Sequence, residues 1–228
     1  MKTNCKRCQT EMEYQQLANG RGGFFVWKPT YCNECGEVVK KETGEFEKSE
    51  KQRIRAKEWE NICPPIYQDT ELDRIRTQIS AETIKNVLEW EPNPIGIGLA
   101  GKTGKGKTRL VFFLLESLYI QGFNLRAISA KKFEKYCHEM FSDKSDARQN
   151  IEHLHKTKIL FIDDIGKEKF TERVESEFYD LIEHRTSYKL PILWTSNATS
   201  QLLQKMMSED RGEPIIRRLK EFSTIYGV

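Results

Sequence analysis

Residues 101–108 form a glycine-rich stretch that fits the phosphate-binding pattern G-x-x-x-x-G-K-[ST] at every fixed position. An apolar strand precedes the stretch and an amphipathic helix follows it, so backbone N–H groups and the helix N-terminus should converge on one anion. We predict that Lys107 reaches the β- and γ-phosphates of a nucleotide and that Thr108 completes the coordination of Mg²⁺. A glycine-rich surface turn is the alternative. The candidate residues are Gly101, Lys102, Thr103, Gly104, Lys105, Gly106, Lys107 and Thr108.

Two aspartates follow the apolar run at residues 159–162, where a buried strand would end. Ligands of open α/β sheets bind at the carboxyl ends of parallel strands, so this position suits a phosphate or metal site. We predict that Asp163 holds Mg²⁺ through its water shell and that Asp164 orients and polarises the water that attacks the γ-phosphate. The roles differ because successive strand residues point in opposite directions. An ordinary strand exit is the structural alternative.

A second apolar strand, residues 191–196, is followed by Asn197. The Asn197 side chain could hydrogen-bond the attacking water or the γ-phosphate. Asparagine is equally typical of an Asx turn or a helix N-cap, so the spacing alone leaves both roles open.

Four of the six cysteines form two C-x-x-C pairs: Cys5, Cys8, Cys32 and Cys35. Their spacing, although somewhat wide, is typical of a Cys₄ site for Zn²⁺, and four thiolates would leave no open position on the metal. We therefore predict a structural zinc ribbon with a hairpin tip at residues 20–23 and a strand at residues 24–27. A redox dithiol or two disulfides are the alternatives. Cys63 and Cys137 are predicted to be buried apolar residues.

The composition divides the chain into three parts. Residues 1–41 are rich in cysteine, glycine and aromatic residues, and a module of this size needs a staple such as a metal. Residues 42–61 contain strong helix formers of alternating charge, which predicts an exposed linker helix that ends before Pro64. In residues 62–228 short strands alternate with helices, which predicts an α/β fold with a parallel sheet flanked by helices on both faces.

The overall composition excludes several classes of protein. Apolar residues make up 38% and charged residues 31% of the 228 residues, which is typical of a globular protein. No run reaches the roughly 18 apolar residues that a membrane span needs, and the N-terminus lacks the apolar core of a signal peptide, so we expect a cytoplasmic protein without a membrane partner. The net charge of +3 does not indicate a dedicated reader of duplex DNA.

The motifs GKTGKGKT, ILFIDDIG, TSN and RRL follow one another along the chain. This order resembles the AAA+ ATPases of the DnaC and DnaI helicase-loader group, and the similarity covers about residues 62–228. The resemblance implies a P-loop AAA+ fold with ATP and Mg²⁺ as ligands. It also implies that Asp164 is the catalytic carboxylate and that Asn197 is sensor 1.

In the same family an arginine near the C-terminus acts on the ATP bound by a neighbouring subunit. By position Arg218 is the predicted arginine finger, with Arg217 and Arg211 as further candidates. Self-association through the ATP sites would then couple hydrolysis to assembly. A helix C-terminus capped by solvated arginines is the alternative. Because the chain stops shortly after Arg218, we expect no C-terminal helical lid, and hydrolysis that is slow or stimulated by a partner.

Two further predictions rest on this resemblance. DnaI-type loaders carry an N-terminal zinc module that contacts the replicative helicase, which implies a helicase partner here, with Arg21, Phe24 and Trp27 as candidate contacts. Helices between residues 130 and 155 resemble the element that lines a single-stranded DNA path in initiators and loaders. An amphipathic helix with buried aromatic residues is equally compatible. The basic and aromatic residues of this segment are Lys131, Lys132, Lys135, Lys144, Arg148, Phe133, Tyr136 and Phe141.

The sequence therefore predicts a helicase loader that hydrolyses ATP and binds both single-stranded DNA and the helicase. A transposition helper ATPase of the IstB type is an alternative, because its catalytic motifs are similar. An adaptor that binds nucleotide without significant turnover is a third possibility from a different class.

Overall fold

The chain consists of two units, Met1–Ile54 and Arg55–Val228, and each is described by itself below. The structure is a computed structural model. It describes residues 2–13, 16–18, 24–26, 29–68, 70–142, 145–167, 170–198, 203 and 207–228.

The N-terminal unit contains two small antiparallel strand pairs and the first part of a long helix. Strands β1 (Lys2–Asn4) and β2 (Glu11–Glu13) form one pair, and β3 (Gln16–Ala18) and β4 (Phe24–Val26) form the other. A strand is therefore present at Phe24–Val26, within the predicted range 24–27, while Trp27 and the predicted hairpin tip at residues 20–23 lie outside the described residues. Among the side chains described in this unit, only Cys5 is buried.

Helix α1 (Asn33–Ile62) begins nine residues before the linker helix predicted at residues 42–61, and its first residues include the end of the second cysteine pair. It ends before Cys63 and Pro64, as the loss of a backbone donor at proline predicts. The unit boundary falls inside this helix, after Ile54. The last turns belong to the C-terminal unit, where Trp59 is buried and Arg55 donates hydrogen bonds to the carbonyls of Tyr119 and Phe123.

One parallel sheet organises the C-terminal unit. In spatial order its strands are β6, β7, β8, β5 and β9. Strand β5, the first strand of this unit along the sequence, does not lie next to β7, because β8 lies between them. The strand ranges are β5 (Gly96–Ala100), β6 (Leu125–Ser129), β7 (Ile159–Ile165), β8 (Ile192–Ser196) and β9 (Ser223–Gly227).

Helices cover both faces of this sheet, so the predicted fold class is confirmed. On one face pack α3 (Leu72–Arg76), α4 (Ala81–Leu88), α5 (Lys107–Gln121) and the end of α1, preceded by the short α2 (Pro65–Gln68). On the other face pack α6 (Ala130–Phe141), α7 (Ser145–Lys156), α8 (Glu172–Ser187) and α9 (Glu209–Glu221).

The alternation of strand side chains explains the two cores. In β7, Ile159 and Phe161 join the core on the α5 face, whereas Leu160 and Ile162 join the core on the α8 face. All four side chains are almost completely buried, as expected for a central strand of a parallel sheet. Among the described helices, none combines the length and apolar character that crossing a bilayer requires.

Candidate functional site

The predicted phosphate-binding loop connects the end of β5 to the start of α5. Three of its residues, Gly101, Gly104 and Gly106, have positive φ angles of 154°, 84° and 85°. Gly101 also lies against the backbone of Val228, since a Cβ at residue 101 would be 1.6 Å from the Val228 carbonyl oxygen. Glycine is therefore required at Gly101 both for its conformation and for the lack of a side chain.

Lys107 lies in the first turn of α5 and is 4% exposed. Its ammonium donates hydrogen bonds of 2.8 Å to the carbonyls of Gly101 and Lys102 and to Oδ1 of Asn197. Burial lowers the pKa of Lys107, and the charges of Asp164 and Asp163 oppose this effect. The loop thus holds a desolvated cation among neutral oxygens, and a phosphate group could replace these weaker acceptors.

Asp163 accepts two short hydrogen bonds through one carboxylate oxygen. Thr108 of the loop donates at 2.7 Å and Thr195 of β8 donates at 2.6 Å. Burial raises the pKa of Asp163, while the hydrogen bonds from Thr195 and Thr108 oppose that shift. A hydroxyl and a carboxylate in contact are the oxygen ligands that Mg²⁺ prefers, so this pair fits the ion that the sequence predicts.

Asp164 lies at an irregularity of β7, where the register with β8 shifts between Ile162 and Ile165. Its φ angle is +58°, and its backbone N–H donates to Oγ1 of Thr195 at 2.9 Å. The simple alternation assumed from the sequence is interrupted at this point. As a result both aspartates hydrogen-bond to side chains of β8 or of the residue that follows it.

Asn197 connects the loop to the acidic strand. Its Oδ1 accepts from Lys107 at 2.8 Å, and its Nδ2 donates to Oδ1 of Asp164 at 2.9 Å. This bridge is possible because β8 lies between β5 and β7 in the sheet. The structure therefore brings together Lys107, Thr108, Asp163, Asp164 and Asn197, which the sequence separates by up to 90 residues.

A cavity of about 360 Å³ opens at this edge of the sheet. One side is formed by the loop, Asp164 and Asn197, and the opposite side by Tyr67, Ile75 and Gln78. The ring of Tyr67 stacks on Phe112 of α5 with the ring centres 4.7 Å apart. The sequence does not indicate this wall, because α2 and α3 have four and five residues and are too short to show helical periodicity.

Comparisons with known proteins agree with this geometry. The model of the ATPase family associated with various cellular activities (AAA) matches residues 97–218, which is more than half of the chain. The chain belongs to the AAA family. A comparison with curated protein sequences gives no match.

Solved structures show the same fold as this AAA chain. The DnaI crystal structure aligns with a TM-score of 0.57 at 18% identity and covers 70% of this chain and 94% of that one. The DnaC helicase loader aligns with a TM-score of 0.56 at 18% identity and covers 75% of this chain and 99% of that one. AMPPCP-bound DnaA from Aquifex aeolicus aligns with a TM-score of 0.55 at 20% identity, over 64% of this chain and only 44% of its own length.

The candidate arginine fingers of the AAA domain all lie on α9. Arg218 forms an ion pair with Glu183 of α8 and donates to Oγ1 of Thr186 at 3.3 Å. Arg217 is exposed, and Arg211 donates to the carbonyl of Glu172 at 3.5 Å. Within one chain, therefore, Arg218 is held by α8.

The four cysteines of the N-terminal unit converge. The Sγ atoms of Cys5, Cys8, Cys32 and Cys35 all lie within 4.8 Å of one another, and those of Cys8 and Cys32 are 3.7 Å apart. Zinc–sulfur bonds of about 2.3 Å in a tetrahedron place the sulfurs roughly 3.8 Å apart, so the cluster fits the predicted metal. Arg7, between the first two cysteines, forms a double hydrogen bond with Glu42 of α1. Cys63 and Cys137 are buried, as predicted.

The helices predicted to contact DNA are α6 and α7. A surface groove of about 730 Å³ on α6 is lined by Lys131, Lys132, Lys135 and Tyr136, among others. Phe133, in contrast, is 1% exposed and packs in the core, so it cannot stack on a base.

The remaining candidate contact residues are either partly buried, exposed or outside the described residues. Phe141 is partly buried, and the guanidinium of Arg173 lies over its ring at 3.6 Å from the ring centre. Arg148 is exposed on α7. Lys144, Arg21 and Trp27 lie outside the described residues, as does the side chain of Phe24.

Proposed function

We propose that this AAA protein is a helicase loader that binds ATP with Mg²⁺, hydrolyses it slowly, and holds single-stranded DNA and a replicative helicase. The observation that supports ATP hydrolysis is the continuous set of hydrogen bonds from Lys107 through Asn197 to Asp164. These three side chains meet beside the cavity at the carboxyl edge of the sheet, where α/β proteins bind ligands.

For phosphate binding, the backbone N–H groups of residues 101–108 and the N-terminus of α5 would bind the phosphate oxygens. Lys107 would exchange its carbonyl partners for β- and γ-phosphate oxygens. Thr108 and Asp163 would hold Mg²⁺, directly or through water. When bound, that ion supplies positive charge next to the phosphates.

For hydrolysis, Asp164 would accept a hydrogen bond from the attacking water and orient it towards the γ-phosphate. Asn197 would keep the Asp164 carboxylate in place and could contact the γ-phosphate from the loop side. Arg218 would act on the site of a neighbouring copy, which requires it to exchange Glu183 for a phosphate oxygen. Such a step would link hydrolysis to self-association.

The role as a helicase loader is supported by how much of each similar structure this chain covers. DnaI and DnaC structures are covered over almost their whole length, whereas DnaA is covered over less than half. The lysines and Tyr136 on the α6 groove could bind the backbone and one face of a base of single-stranded DNA.

The N-terminal unit would hold Zn²⁺ through its four thiolates and present a surface to the helicase. A thiolate zinc site needs reduced cysteines, which agrees with a cytoplasmic location. The proposed organisation is a zinc ribbon over residues 1–41, a linker helix over residues 42–61 and an AAA+ domain over residues 62–228.

The test combines nucleotide turnover with helicase capture. The intact chain is mixed with a hexameric replicative helicase, ATP and single-stranded DNA, and complex formation and phosphate release are measured. We expect Lys107→Ala to lose ATP binding and Cys8→Ser to lose the helicase while retaining ATP binding. Binding to duplex DNA in filaments without helicase affinity would indicate a transposition helper instead. ATP binding without turnover, even with both partners, would indicate an adaptor.

A further inference from the structure

A lysine of the chain lies beside the carboxylate proposed to activate water. The ammonium of Lys167 is 3.7 Å from Oδ2 of Asp164, whose other oxygen accepts from Asn197. Both oxygens of Asp164 are therefore already engaged within the protein. A carboxylate that is paired with a cation is a weaker hydrogen-bond acceptor for water, because the cation stabilises its negative charge.

The position of Lys167 is set by the turn that ends β7. Gly166 in this turn has a φ angle of +80°, and a Cβ there would lie 1.9 Å from the side chain of Leu203. Another residue at Gly166 would be strained by this φ angle and would have to displace the side chain of Leu203. The chain reverses immediately after the acidic strand, which returns Lys167 to the carboxylate three residues before it.

Lys167 also borders two neighbouring cavities. It lines the 360 Å³ cavity of the phosphate-binding loop and a second cavity of about 190 Å³, and Asp164 lines both as well. The second cavity is bordered on its far side by Ser129 and Glu134 of the α6 region. Glu134, whose carboxylate is 3.7 Å from Nε2 of His138, is thus a second carboxylate on the lining of a cavity that Lys167 borders.

We propose that Lys167 is a positioning residue that restrains hydrolysis by pairing with Asp164. This inference rests on the proposed ATPase function with Asp164 as the water-activating group. Movement of Lys167 away from Asp164, towards Glu134 or towards a polyanion on α6, would free one carboxylate oxygen for water. The ion pair thus gives a physical reason for slow basal turnover.

The expected effect is small, because the side chain of Lys167 is 67% exposed and that of Asp164 is 33% exposed. Ion pairs in contact with solvent are weak, so we expect Lys167→Ala to raise kcat about two- to fivefold. Lys167→Arg should keep the low rate because it preserves the charge. Lys156→Ala is the matched control, since Lys156 forms an exposed ion pair with Glu152 on α7.

The experiment measures kcat and KM for ATP in the full-length chain and its three variants, with ATP affinity determined separately by calorimetry. The rise should be in kcat, because the pair acts on the water-activating group. At 1 M salt, where the screening length is about 3 Å, the ratio of Lys167→Ala to wild type should fall towards one.

A fall in kcat for Lys167→Ala would overturn the proposal and indicate that Lys167 assists at the phosphate. An unchanged kcat, or an equal rise in Lys156→Ala, would also overturn it. If the wild-type chain binds no ATP, the proposed function itself is wrong. If it binds and hydrolyses ATP but the variants behave alike, only the restraint by Lys167 is wrong.

Discussion

The two units of this chain are stabilised in different ways. In the C-terminal unit a five-stranded sheet lies between two buried cores, and side chains such as Phe178 and Leu115 are completely buried. In the described part of the N-terminal unit, Cys5 is buried, while Val38 and Phe46 of α1 are exposed. One unit relies on buried apolar area, whereas the other brings four thiols together and leaves apolar side chains such as Val38 and Phe46 in solvent.

This difference in stabilisation suits the two units to different kinds of functional site. A large core fixes strand ends rigidly, so the C-terminal unit can hold Lys107, Asn197 and Asp164 at hydrogen-bond distances. A small unit held by a metal, as we propose for the N-terminal unit, would need few residues for its core and would leave most of its surface available for a partner. Four measurements can break or sharpen this contrast.

Metal removal should have the largest effect. Structural zinc sites have apparent binding free energies of about 10–16 kcal/mol, so chelation or Cys8→Ser should unfold the N-terminal unit. We expect one zinc per wild-type chain by atomic emission, and loss of amide-exchange protection in residues 2–13 after removal. ATP affinity should not change. Protection that persists without metal would show that this unit has another source of stability.

Truncation of a core aromatic side chain should destabilise the C-terminal unit and leave the N-terminal unit unchanged. Phe178 is fully buried against Phe133, so Phe178→Ala should lower the free energy of unfolding by about 3–5 kcal/mol in a urea titration. Zinc content should stay the same. Phe46→Ala is the control, because Phe46 is 68% exposed and its removal should cost less than about 0.5 kcal/mol. Equal losses in the two variants would contradict the assignment of the core.

A conservative change at the strand end should affect the reaction without affecting the fold. Asp164→Asn keeps the shape of the side chain, and asparagine tolerates the positive φ angle at this position. We expect ATP turnover to fall by roughly 10²–10⁴-fold. Calorimetric ATP affinity and Tm should stay close to those of the wild type. Unchanged turnover would exclude Asp164 as the water-activating group.

Asp163→Asn should give the smallest effect, in the direction of greater stability. Burial raises the pKa of Asp163 in the folded chain, so the folded state binds this proton more tightly than the unfolded state. Stability from this group is therefore present at low pH and is lost as the pH rises through the folded pKa.

At neutral pH a charged, buried Asp163 carboxylate destabilises the folded chain, and the Asp163→Asn variant removes this charge. We therefore expect the Tm of the variant to rise by no more than about 4 °C, the shift that roughly 1 kcal/mol produces. Near pH 3 the two proteins should melt alike. A lower Tm for the variant at neutral pH would show that the charge of Asp163 stabilises the nucleotide-free fold.

Much of the C-terminal unit could be predicted because its signals are local. The apolar strands at residues 159–162 and 191–196 and the glycine-rich loop at residues 101–108 are each recognised from residues close together in the sequence. The proximity of the phosphate-binding loop to the two aspartates could be predicted because ligands bind at the carboxyl edge of parallel sheets.

Other features depend on contacts that the sequence does not display. The wall formed by Tyr67 and Ile75 comes from helices too short for periodicity, and the irregularity at Asp164 depends on pairing with β8. The burial of Phe133 could be foreseen only as one of two alternatives, because lysines and aromatic residues alternate on both DNA-binding and ordinary amphipathic helices.

The three hydrogen bonds of Lys107 have a consequence for affinity. This ammonium has three oxygen partners within the chain, so the binding of a phosphate to Lys107 would replace hydrogen bonds as well as form them. The free energy of capture is the difference between two sets of bonds. A ligand with a single phosphate should replace these hydrogen bonds poorly and bind weakly. A chain of phosphates also accepts hydrogen bonds from the loop N–H groups, so it would form more hydrogen bonds than it displaces. We therefore expect the hydrogen bonds of Lys107 within the chain to favour polyphosphate ligands over inorganic phosphate.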